Sequence, residues 1–90
     1  MKSFKEFVTE ALEVGQWIKQ TGSDYEAYGV VVSVQKNGAA KAAVFTSFDG
    51  GSAGKAVMKS TKGWYPAPSK INANDVPPKI RKKIEDKAGL

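Results

Sequence analysis

The sequence predicts a small α+β protein, mainly β, built as an antiparallel barrel of four to five short strands with a helix at each end. Three observations carry this. Apolar residues recur at helical spacing over the first fourteen positions and again near the C-terminus. Between them the period falls toward two, with Asn, Gly and Asp clusters marking the turns. The whole chain is 90 residues, room for one domain, and a chain this short buries only about 60–65% of the surface exposed when unfolded.

The N-terminal element is expected at about residues 3–14. Ser3 is a good N-cap and Glu6, three residues on, completes a capping box. Phe4, Phe7, Val8, Ala11 and Leu12 share one stripe, and Gly15 suits the left-handed position that ends a helix. Gln16–Lys19 then reads as a first strand, and Thr21–Asp24 as a turn. Tyr28, Val30, Val32 and Val34 alternate onto one face. Asn37-Gly38 is the strongest short hairpin signal, placing Val34 near Lys41 across a two-residue turn. Ala40 to Phe48 is the return strand, Asp49–Gly54 a glycine-rich loop, and Lys55–Thr61 a further strand. Trp64–Ala67 is a short aromatic edge, since Pro66 has no N–H for a ladder.

Asn74-Asp75-Val76-Pro77-Pro78 signals helix entry, and Ile80, Ile84 and Ala88 make one face of a helix at about 77–88 that Gly89 closes. The organisation is thus an N-terminal helix over 1–14, a barrel over 15–75 and a basic helix over 76–90. Trp17, Val30, Val32, Val34, Val44, Phe45, Val57 and Trp64 are the expected core. The run from Val14 to Phe45, in which an aromatic strand, a loop and a Gly-x-Val strand lead into a hairpin, resembles the start of SH3-like barrels, and the resemblance extends over residues 14–70. The main competitor is an open antiparallel sheet with helices on one face.

The composition narrows function. Cysteine and histidine are absent, which removes thiolate zinc sites, the commonest general base and the commonest metal ligand. No placed acid pair replaces them, so a non-enzymatic protein without metal or cofactor is expected. No apolar run approaches the roughly 20 residues of a membrane span, so no membrane partner is expected. Net charge is +5, split as −2 over residues 1–26 and +7 over residues 27–90. A basic body permits contact with nucleic acid or gives a solvated lysine surface.

Three segments carry candidate chemistry. Asp49–Lys55 (DGGSAGK) imitates a phosphate loop but has Asp49 where the first glycine belongs and Ala56 where a hydroxyl must reach Mg²⁺, so it reads as a hairpin loop. Tyr65 and Pro66, with Tyr25 and Tyr28, are candidates for an aromatic groove that takes a proline-rich peptide or stacks on bases. Lys79, Arg81, Lys82 and Lys83 form a basic helix face that either tracks phosphates or is simply solvated.

Met1, Lys2, Ser3, Phe4, Lys5, Glu6, Phe7, Val8, Thr9, Glu10 and Ala11 fit, place by place, a known pattern. This opening resembles the N-terminal capsid-targeting peptide of the internal head proteins of T-even-like tailed phages. The resemblance implies delivery into the assembling prohead and cleavage by a maturation protease after Glu10. The family prefers Leu or Ile two residues before that glutamate, where this chain has Val8. The alternative is a capped helix packed on the barrel. The expected protein is therefore a phage accessory protein, probing a host or phage protein as an interaction module, packaged with DNA as an internal virion protein, or binding nucleic acid weakly. A monomer in the host cytoplasm or virion interior is expected.

Overall fold

A computed structural model describes residues 12–36, 39–62, 64 and 67–90. Among the described residues there are five strands: β1 (Trp17–Thr21), β2 (Tyr25–Val34), β3 (Ala40–Phe48), β4 (Val57–Ser60) and β5 (Ser69–Ile71). A 3-10 turn (Ala73–Asp75) and one helix, α1 (Pro78–Ala88), follow. The strands form one antiparallel sheet in the order β4-β3-β2-β1-β5. Among the described residues β4 and β5 are its two ends, so the sheet is open and the expected barrel closure is not shown. Both end strands are short, and α1 covers one face instead. This is the competing architecture.

Alternation along the strands buries both faces. Trp17, Tyr28, Val30, Ala43 and Phe45 point to one side and pack with Val76, Ile80 and Ile84, the last two being the inward stripe of α1. Ile18, Ala27, Val31, Ala40, Ala42 and Val44 point to the other side, where Leu12, Tyr25 and Trp64 pack on them. Trp64 sits in the connection that takes the chain from the β4 edge to the β5 edge. The expected core is thus half right: Trp17, Val30, Val44 and Phe45 are buried, and Val32 and Trp64 are partly covered. Val34 and Val57 are exposed.

The reason for Val34 is a bulge. The β2–β3 register shifts between Val31 and Ser33, leaving Val32 as an extra residue. Beyond it every side chain changes face, so Tyr28, Val30 and Val32 share a side and Val34 does not. Val34 pairs with Ala40, and Lys41 with Ser33, not with Val34. Gln35 N donates to Ala39 O at 2.8 Å, and the turn expected at Asn37 and Gly38 lies outside the described residues. Lys36, Lys41 and Lys59 are all exposed, but Lys41 and Lys59 point to opposite faces.

At the N-terminal side, most of the expected helix over 3–14 lies outside the described residues. Leu12 to Val14 are not helical, and Val14 and Gly15 form a turn closed by Gln16 N to Glu13 O at 3.0 Å, with Gly15 at φ +91°. The turn is tied to β2 through Gly15 N to Val31 O. The last strand begins at Ser69, after Pro68, and not at Trp64, which lies outside any strand. α1 agrees with its expected span to within a residue, and Gly89, at φ +83°, ends it.

Candidate functional site

Tyr25 opens β2 and Phe48 closes β3, and the two are cross-strand partners. Their ring centroids lie 6.1 Å apart at 56°, a tilted pair within the favourable range for aromatics. They point away from α1. Trp64 joins them from the connection after β4, and together with Gln20, Thr46 and Lys59 they line a cleft of about 230 Å³. Phe48 remains 60% exposed, while Tyr25 and Trp64 are half-buried. Val57, paired with Val44 on the same side, is 47% exposed and extends the apolar surface toward the sheet edge. The three aromatics and Lys59 at the rim make this cleft the candidate site.

Tyr28 does not belong to this cleft. It points to the opposite face, beneath α1, and its hydroxyl donates to Glu26 Oε1 at 2.8 Å. Lys19 completes the group, 3.6 Å from Glu26 and 5.4 Å from the centre of the Tyr28 ring. Burial first, then the hydrogen bond and charge of Glu26, push the Tyr28 phenol up to about 12. The expected groove joining Tyr25 and Tyr28 is therefore corrected: an odd separation of three residues on one regular strand sends them to opposite faces. Tyr65, Pro66 and Glu10 lie outside the described residues. Phe48 and Lys59 were not among the expected site residues. The signal that would have found Phe48 is its pairing with Tyr25, but this depends on a register that the bulge hides.

The basic face of α1 is divided by its own contacts. Lys79 and Lys82 are exposed. Arg81 is held by Glu85 at 2.9 Å and by Asn74 Oδ1 at 3.3 Å. Lys83 turns toward the sheet, donates to the carbonyls of Ser52 and Gly54, and lies 5.2 Å from the Phe45 ring centre. The glycine-rich loop is thus a backbone structure latched by Lys83 and by Ser47 Oγ, which donates to Gly51 O at 2.6 Å. A strand follows it, not the helix that a phosphate loop requires.

Among the described residues no cluster of three His, Cys, Asp or Glu side chains could hold a metal ion, and no helix is long and apolar enough to cross a membrane. No protein-family model, curated protein or solved structure matches this chain.

Proposed function

We propose that this chain is a small non-enzymatic interaction module that holds a macromolecular partner at the Tyr25–Phe48–Trp64 cleft. The observation that carries this reading is Phe48, a large apolar side chain left 60% exposed against a second aromatic ring. Anchors of this kind dominate interface energetics, and truncating one typically costs about 2 kcal/mol or more of binding. The test is selection of peptides from a displayed library on the full chain, followed by affinity measurement on Phe48→Ala. Selected peptides should bind the variant at least about tenfold more weakly, with its melting temperature near that of the parent, because the ring contributes little to the core. Equal binding to both proteins sinks the proposal.

A second reading follows from residues 1–11, whose resemblance to a capsid-targeting peptide favours a phage protein packaged in the head. Mass spectrometry of purified virions tests it. A chain beginning at Ala11 supports it, and absence of the chain counts against it.

A further inference from the structure

We propose that β4 is a docking edge that accepts an acidic, extended segment of a partner protein as an added strand. This inference rests on the interaction-module reading and gives that module a partner chemistry and a binding geometry.

The backbone supplies the first part of the argument. Among the described residues β4 is an end of the sheet and pairs with β3 alone. Thr61 N donates to Ala40 O at 2.8 Å, which makes Thr61 and Ala40 a hydrogen-bonded pair of the antiparallel ladder. Such pairs alternate, so Lys59 and Val57 also direct their backbone groups to β3. Met58 and Ser60 therefore turn their N–H and C=O groups outward. All four residues of β4 are exposed. The opposite end of the sheet is less suited, because β5 has three residues and runs at once into the 3-10 turn. An edge with outward donors and acceptors is the template that strand addition uses.

Charge selects the occupant. Residues 55–62 read Lys-Ala-Val-Met-Lys-Ser-Thr-Lys, with three lysines and no acid. A second copy of the chain pairing here would set these lysines against their own kind, and like charges opposite one another weaken a strand pair. An acidic strand gains from the same three positions. Side-chain parity then links the edge to the cleft. Val57 and Lys59 point to the face that carries Phe48 and Trp64, and Lys59 itself lines the cleft. Alternate residues of an added strand would point to that same face, beside the aromatic rings. Nucleic acid would also be drawn to the lysines, but it makes no use of the outward backbone groups of Met58 and Ser60.

The test uses the full chain and a blocked synthetic peptide, Glu-Val-Glu-Thr-Glu-Val, beside its lysine-for-glutamate counterpart and a single-stranded oligothymidylate. Amide exchange is read by NMR. The acidic peptide should slow exchange at Met58 and Ser60 and leave Val57 and Lys59, already bonded to β3, unchanged. Met58→Pro removes an outward donor at no cost to the β3 ladder and should weaken the peptide by about tenfold or more. Where that variant proves unfolded, the joint variant Lys55→Glu, Lys59→Glu should lose the acidic peptide and gain the basic one. No binding of the acidic peptide at about 1 mM, protection at Val57 and Lys59 instead, or tighter binding of the oligonucleotide overturns the proposal. If library peptides that depend on Phe48 are indifferent to Met58→Pro, the edge is refuted and the cleft reading survives.

Discussion

Replacing Lys83 with methionine should weaken the fold by about 1–2 kcal/mol and loosen one loop, although the residue looks from sequence like a surface cation. Its Nζ reaches across from α1 to the carbonyls of Ser52 and Gly54, the latter at 2.9 Å, and lies 5.2 Å from the centre of the buried Phe45 ring. Hydrogen bonds from a charged donor are each worth roughly 1.5–3 kcal/mol and a cation over a ring about 0.5–2 kcal/mol. Lys83 is half-buried and the freed carbonyls regain water, which brings the net loss to the lower figure. Methionine keeps the unbranched stem, so packing against the sheet changes little. For a chain of this size total stability is roughly 4–13 kcal/mol. The loss should therefore lower the melting temperature by about 4–8 °C for each kcal/mol.

Urea unfolding followed by far-ultraviolet dichroism measures the global effect. Native-state amide exchange at residues 50–54 measures the local one. Lys82→Met, one position earlier and exposed, is the control and should stay within about 0.5 kcal/mol of the parent. If the two variants have the same midpoint and the loop amides exchange at the parent rate, the latch does not stabilise the fold and the reasoning fails.

Two further outcomes follow from the sheet. Gly29→Ala should destabilise by about 1–3 kcal/mol, because a Cβ there would sit 2.8 Å from the Ala43 carbonyl oxygen and 3.0 Å from Val44 Cγ2; an unchanged or higher urea midpoint would show that the strands yield. Tyr28 should titrate late: its folded value of about 12 exceeds the unfolded value of about 10. Its contribution to stability is therefore intact below about pH 10 and lost as pH rises toward about 12. Tyr28→Phe should remove a tyrosinate absorbance step near pH 12, and a parent with no step above about pH 10 contradicts the assigned environment.

What could be read in the sequence was what local chemistry dictates. Gly89 and the Ile80–Ile84 spacing located α1, and the alternation through residues 28–48 located the two long strands of the sheet. The rest depends on long-range choices with no local mark. Val30-Val31-Val32 is three identical side chains, so nothing distinguishes the one that bulges, yet that extra residue decides that Val34 faces away from the α1 side. The pairing of β5 with β1 joins residues fifty or more positions apart. Lys83 lies beside Lys82 in a uniformly basic run, and only the arrival of the glycine loop beneath it gives it a structural partner.

The two aromatic cross-strand pairs of the β2–β3 hairpin meet different surroundings. Tyr28 faces Phe45, and three residues farther along Tyr25 faces Phe48. The residue types are the same and both pairs are direct cross-strand partners in one register. Their fates diverge because an odd step turns them to opposite faces. The Tyr28–Phe45 pair meets Ile80 and Ile84 of α1 and becomes core. The Tyr25–Phe48 pair lies on the other face beside Trp64, and Phe48 stays 60% exposed. Folding accounts for the first pair, since removing either ring would leave a cavity under α1. It does not account for the second, because an exposed phenylalanine adds little to the core and enlarges the apolar surface available for nonspecific association. A partner at the proposed site would account for the aromatic at position 48, and the basic edge of β4 meets the same cleft at Lys59.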